Sequence, residues 1–553
     1  MKNNGLPLST SIDPAGSFIC GEHRPSYRVK NLRKTESISV LGHNASGTPI
    51  TNNANFPESD LFIENSSCIY EIPNPFPFWG TTYILSEPAD RLAEEPQRFR
   101  FNKVADEPDQ TSPLMQDLLR GALSNPEGRM YSIKDLPRTM KLALAQTCRD
   151  PEILSALARL NCRFEFDRSG MPTGLEFEHD HTGRLRPAVR DHDLFEVLGN
   201  NPALPDQYKQ AMVLIPGIQG DSPVVGEYSR HSETHIWEYL RSNSYIPWGH
   251  YASNMAHDCV RYKASVLDRE DMTGLRHLYY QRIYAQMAEI SGVGDLVSSW
   301  ENRDGALSRS RLEALRRAVL SEIRQRSASG LEIPFTATMW GWNYGFDFAP
   351  SGYRLHASHQ QIHQQFALIP ASTPVPGRKG ASMPSYAVGD QVAHFCSRYR
   401  EVFSSPFFDA YIQAIRSNTR LDGRKDLPSS LIVFEDENVM VHIPKAQRCQ
   451  GEVQVMTTAG AGNVLEADSR VRSSLDNCLH RVIQALDLLG AEMVTVYELS
   501  KRFDSPDGDQ RLFYCFLPRH PRSPGAFSER QERWITGHYP EDYAEALRLA
   551  LKD

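Results

Sequence analysis

The chain has 553 residues and a mass of 62.5 kDa, too long for one ordinary hydrophobic core, so two or three domains or a duplicated one are expected. With 40% hydrophobic, 10% aromatic and 23% charged residues it is not composed like a disordered chain. A formal net charge of −8 argues against a protein built to wrap nucleic acid, although a local arginine cluster can still hold a small anion.

Nine cysteines are scattered along the chain and never spaced C-x-x-C, which suits reduced thiols better than a disulfide framework or a thiolate zinc site. The opening M-K-N-N-G-L-P-L-S-T has no apolar leader, and no run of roughly eighteen apolar residues occurs. A soluble cytoplasmic protein without a membrane partner is expected.

In chain order, residues 1–110 are rich in Asn, Ser, Pro and Gly and read as an irregular N-terminal extension. One aromatic run inside it, I-P-N-P-F-P-F-W at 72–79, reads as a docking segment. Residues 111–224 read as an accessory α+β region: helical periodicity in K-L-A-L-A-Q and I-L-S-A-L-A-R-L gives way to short strands near 162–166 and 174–177. In the third part, 225–372, helical periodicity over 272–291 and 308–327 precedes the strand T-A-T-M-W-G-W-N-Y-G at 336–345. The Pro- and Gly-rich run 370–390 reads as a linker. Beyond it, in 391–553, come a helix at 391–416, paired strands at 431–444, a helix at 471–489 and strands at 493–499 and 511–516. A strand-and-helix grouping thus occurs twice, and a duplicated α+β unit is the economical reading.

The densest chemistry lies between Tyr353 and Pro370, where three histidines and four glutamines occupy the ten residues from His356 to Gln365. As a strand, this stretch sends His359, Gln361, His363 and Gln365 to one face and Ile362, Phe366 and Leu368 to the other. As a helix, it would bring His356, His359 and His363 to one face as a metal set, but no nearby carboxylate joins them. Imidazoles and amides along one wall can supply a nucleophile and hydrogen bonds to a phosphate. Arg354 adds a guanidinium able to pair with phosphate through two parallel bonds. The aromatic run from Met339 to Phe348 reads as core packing with an edge on which a base could stack, and His250 and His442 read as core histidines satisfied by hydrogen bonds.

The segment A-S-H-Q-Q-I-H-Q-Q-F-A-L-I-P, Ala357 to Pro370, resembles the active-site strand of the histidine-triad-like nucleotidyltransferases and phosphorylases. That superfamily includes galactose-1-phosphate uridylyltransferase, diadenosine tetraphosphate phosphorylase and the GDP-hexose phosphorylases. Its motif runs A-S-x-x-H-x-H-x-Q, with a proline seven residues after the second His, as from His363 to Pro370 here. Gly249-His250, Asn343-x-Gly345, V-H-I-P-K at 441–445 and F-L-P-R-H-P-R at 516–522 resemble further family marks, so the likeness spans about 225–530.

The resemblance implies an α+β fold of duplicated histidine-triad-like repeats, each an antiparallel sheet with helices, following the N-terminal extension. The catalytic repeat would be 225–372 and the non-catalytic repeat 391–553. It implies transfer of a nucleoside monophosphate through a covalent nucleotidyl-histidine at His363, from a nucleoside diphosphate-sugar or dinucleoside polyphosphate to phosphate or a sugar phosphate. Gln365 would bond the phosphate oxygens, with Asn343, Gly345 and Ser358 as further substrate contacts. Gln361 departs from the family, which usually has His there. With the C-x-x-C pair also missing, no metal and no cofactor are expected, and His359 is the residue that would support the site in place of the missing His. The expected partners are a nucleotide or nucleotide-sugar and a phosphate acceptor, and the expected assembly is a homodimer. A hydrolase of the same fold and a non-catalytic nucleotide-binding or scaffold protein stay open as alternatives.

Overall fold

The computed structural model describes residues 8–31, 37–56, 59–101, 133–179, 185–199, 201, 203–212, 242–243, 269–294, 307–345, 363–458, 460–491, 493–519 and 525–551. Its centre is an eight-stranded sheet built from β1 (Ser242–Asn243), β2 (Phe335–Gly345), β3 (His363–Pro370), β4 (Ile432–Glu435), β5 (Val439–His442), β6 (Val453–Thr457), β7 (Met493–Leu499) and β8 (Phe513–Arg519). The spatial order is β1-β3-β2-β7-β8-β6-β5-β4. Every pairing is antiparallel except β1 with β3.

Both faces of this sheet are covered, which is why its strands read as almost continuous apolar runs such as V-M-V-H and M-V-T-V-Y-E-L. One face carries Trp340, Phe366, Val441, Val455, Val496 and Phe516, packed against helices α1 (Arg269–Ser291), α2 (Arg309–Ala328) and α5 (Ser469–Leu488). The other carries Met440, Met456, Leu499, Phe513 and Cys515, packed against α3 (Val388–Phe403) and α4 (Phe407–Arg416). Ser308 caps α2 by accepting from the Arg311 amide, and Asp468 caps α5 by accepting from the Arg470 and Val471 amides. None of the described helices is long and apolar enough to cross a membrane.

The stretch expected as an irregular extension contributes regular structure. Gly21–His23, Ile69–Pro73 and Thr81–Leu85 pair in that order, and Arg533–Thr536 closes this second sheet by running parallel to Thr81–Leu85. The aromatic run between two of these strands docks on the central sheet. Phe76 is fully buried, with ring centroids 5.6 Å from Phe395, 5.0 Å from Phe407 and 6.3 Å from Phe513.

The expected linker is likewise ordered. It holds a hairpin of Ser372–Pro374 and Ser382–Pro384 and then the start of α3. Arg502 anchors it, donating to the Ser385 carbonyl at 2.8 Å and to the Asp390 carboxylate at 2.6 and 2.7 Å. The single helix expected over 391–416 is two helices, because Ser404 turns into the left-handed region (φ 56°) and Pro406 follows.

Candidate functional site

The candidate site is organised by β2 and β3. Their register sets Asn343 opposite His363, Trp342 opposite Gln364, Gly341 opposite Gln365 and Trp340 opposite Phe366. On the outer side of β3, the short parallel β1 sets Asn243 beside Gln365. On the far side of β2, Gly341 pairs with Tyr497 and Asn343 with Thr495 of β7. Gly345 ends β2. Two consecutive strands thus set the Asn of Asn-x-Gly against the His of His-x-Gln, while Gly345 pairs with Met493 of β7.

The even positions show how the site is held from behind. Gln364 is 1% exposed: its amide oxygen accepts from the Trp340 indole N–H at 2.9 Å, and its amide nitrogen donates to the Leu275 carbonyl of α1 at 3.3 Å. Phe366 packs on Tyr279, with ring centroids 5.3 Å apart. Beneath them Arg276 is wholly buried, its guanidinium 4.7 Å from the Trp340 ring. It donates to Asp476 at 3.3 Å, Tyr280 Oη at 2.9 Å and Tyr514 Oη at 2.6 Å. Tyr279 Oη and Thr338 Oγ1 donate to Glu498 at 3.0 and 3.1 Å.

Burial works against charge on Arg276, but its hydroxyl and carboxylate neighbours outweigh it and hold the guanidinium pKa well above its ordinary value. Burial pushes Asp476 up to about 6 and raises Glu498. The floor under the strand is therefore a fixed cation among aromatic rings.

Strand alternation assigns the odd positions 341, 343, 363 and 365 to the opposite face. Beside them on that face stands Tyr497, whose hydroxyl accepts from Arg448. Arg448 stacks 3.8 Å over the Trp79 ring and is paired with Glu452. This stack seals the β7 side, while Gly341, with no side chain, leaves the surface low between Gln365 and Tyr497.

Of the residues the sequence singled out, His363, Gln365, Asn343 and Gly345 come together on β2 and β3. Arg354, Ser358, His359, Gln361 and His250 lie outside the described residues. His442 is a core histidine on β5: it is fully buried, its Nε2 lies 3.3 Å from Tyr411 Oη, and burial pushes its pKa down to about 3. Phe513 and Cys515 of β8 are core side chains. Among the described residues no group of three or more His, Cys, Asp or Glu is placed to hold a metal ion.

Sequence reasoning missed β1, Gly341 and the Arg276 floor. Of these, only Gly341 had a local signal, a glycine set between Trp340 and Trp342.

No family model matches the chain. No curated protein matches it either. Among solved structures, the chain is similar to a uridylyltransferase mutant at 14% identity and a TM-score of 0.31, covering 45% of this chain and 72% of that one. An ADP-glucose phosphorylase from Arabidopsis thaliana, solved with bound ADP-glucose, is similar at 13% identity and a TM-score of 0.30, over 44% of this chain and 66% of that one. A Hit-like protein from Bartonella henselae is similar at 19% identity and a TM-score of 0.17, over 24% of this chain and 96% of that one.

Proposed function

We propose that the protein transfers a nucleoside monophosphate through a covalent nucleotidyl-histidine at His363. The donor is a nucleoside diphosphate-sugar or a dinucleoside polyphosphate, and the acceptor is phosphate or a sugar phosphate. The observation that carries this reading is the register of β2 and β3, which sets Asn343 against His363, the His of the A-S-x-x-x-x-H-x-Q segment.

In the first step a lone pair of the His363 imidazole attacks the α-phosphorus. An N–P bond forms, the P–O bond to the leaving phosphate breaks, and the electron pair leaves with that oxygen. In the second step an oxygen of the acceptor phosphate attacks the same phosphorus, and the N–P bond breaks to return free imidazole. Neutral imidazole suits both steps because its pKa near ~6.5 leaves it nucleophilic at neutral pH. Splitting one transfer into two lowers each barrier. Gln365 and Asn343 supply neutral donors to the phosphate oxygens as charge moves.

A duplicated unit accompanies this reading. Helix–strand–strand occurs as α2–β2–β3 and again as α5–β7–β8, with β2 and β7 meeting antiparallel at the seam. The strand β8 of the second unit starts on the core residues Phe513 and Cys515, so the nucleophile is assigned to the first.

The test is incubation with donors labelled at the α-phosphorus, among them uridine, guanosine and adenosine diphosphate-sugars and a diadenosine polyphosphate. Acid-labile label on the wild type and on His442→Ala, absent from His363→Ala, supports the proposal. No label and no phosphate-dependent nucleotide release with any donor overturns it. Nucleotide binding without label would then leave the binding-protein reading.

A further inference from the structure

On the face of the central sheet covered by α1, α2 and α5, residues from the N-terminal halves of these three helices line a cavity of about 730 Å³. Its walls carry Arg269 from α1, Arg309 from α2, and Arg470 and Arg472 from α5. Two carboxylates also reach it, and both are already engaged. Glu313 accepts from Arg316 at 2.6 Å and from Arg317 and Arg472 at 3.0 Å each, which holds its pKa down near 2 against the opposing effect of burial. Asp476 accepts from Arg276 at 3.3 Å and Tyr280 at 3.0 Å.

Three guanidiniums are left over. Among the described residues Arg269 and Arg309 form no ion pair, and Arg470 only approaches the cap residue Asp468 at 3.6 Å while its side chain stays 84% exposed. Directly behind Asp476 and Tyr280, the wholly buried Arg276 has an Nη1 with no hydrogen-bond partner among the described residues.

We propose that this cavity is a binding site for a polyphosphorylated small molecule, gripped by Arg269, Arg309 and Arg470. Cations from three separate helices surround a space many times larger than one phosphate group, so they suit a chain of phosphates. Each guanidinium can grip phosphate oxygens with two parallel bonds. The capped N-termini of α2 and α5 lie in this wall, and the positive ends of their dipoles add to the same field. The volume lies within the range of small-ligand sites. All the lining residues belong to helices on the face opposite positions 363 and 365, so this inference stands whether or not His363 is a nucleophile.

Calorimetric titration of the full chain with sodium tripolyphosphate at low salt tests it. The expected result is one saturable site, weaker by roughly tenfold or more in an Arg309→Glu/Arg470→Glu double variant and unchanged in His363→Ala. Both arginines are exposed, so the double variant should keep the wild-type melting temperature, and that is measured alongside. Competition by adenosine triphosphate would assign the site to a nucleotide's phosphate tail, whereas indifference to it would assign it to free polyphosphate. Absence of saturable binding overturns the inference, as does binding unchanged by the double variant.

Discussion

Asn343 and His363 are cross-strand partners, the last of the eight pairs that the described residues form in the β2–β3 ladder from Phe335 and Pro370. Cross-strand partners keep their Cβ atoms roughly 4.5–5.5 Å apart, so one phosphate can be shared between the two positions. His363→Ala is therefore expected to remove all protein-bound label. Asn343→Ala and Gln365→Ala are each expected to slow single-turnover labelling by roughly 10²-fold with little change in melting temperature. Rates within twofold of wild type for both amide variants would rule out their role as phosphate donors.

Gly341 sits between Gln365 and Tyr497, and among the described residues a Cβ built there meets only the Val496 carbonyl oxygen, at an ordinary 3.6 Å. Gly341→Val should therefore fold, with stability unchanged or raised by up to about 1 kcal/mol, because a strand glycine is entropically costly. It should also raise the site above position 341 and weaken nucleotide binding. Thermal melts paired with nucleotide titrations separate the two effects, and unimpaired binding would place the nucleotide elsewhere.

Gln364 is held at both ends of its amide, by Trp340 and by the Leu275 carbonyl. Gln364→Leu strands two buried partners and is expected to cost about 2–4 kcal/mol in urea unfolding. Adding Trp340→Phe removes one of those orphans, so the double variant should lose less than the sum of the single changes. Additive losses would show that the Trp340–Gln364 bond contributes nothing.

His442 titrates near 6.5 when unfolded and is pushed down to about 3 in the fold. Below pH 6.5 the unfolded chain binds the extra proton and the folded chain does not, so stability falls as pH drops toward the folded value. Between pH 6.5 and 4.5 this one group should remove on the order of 2–3 kcal/mol. In His442→Leu the slope of stability against pH over that window should be correspondingly shallower. An unaltered slope would mean that the histidine is charged in the folded state.

Phe76 is enclosed by Phe395, Phe407, Phe408 and Phe513. Phe76→Ala is expected to cost about 3–5 kcal/mol, and urea midpoints of the variant and wild type measure it. A loss below 1 kcal/mol would show that the N-terminal segment is only loosely seated.

Much of the second half was legible because its strands are β-branched runs bounded by turn residues, and β7 falls at 493–499 as its pattern predicts. The site was legible only in part. His363 and Gln365 announce themselves by composition, but nothing local reveals that Asn343 lies across from His363, since register is a tertiary property. β1 is two polar residues that become a strand only by pairing with β3. The N-terminal strands are short, and their Asn-, Ser- and Pro-rich surroundings read as loop. The Arg276 floor was hidden for another reason. The pattern over 272–291 announces the helix, but nothing local says that its Arg276 is wholly buried among tyrosines, because the partners Asp476 and Tyr514 come from far along the chain.

The hydrogen bond from Arg533 to Tyr83 joins residues 450 positions apart, across the parallel strands that close the smaller sheet. During synthesis Thr81–Leu85 can pair with Ile69–Pro73 at once, but its other edge stays without its partner until the strand at 533–536 has emerged. Phe76 must wait too, until α3, α4 and β8 exist to receive it. Growing chains will carry an exposed aromatic plug for most of their translation. A chain divided between these segments leaves that edge unpaired and Phe76 without its pocket, so halves expressed separately should be less soluble than the whole chain.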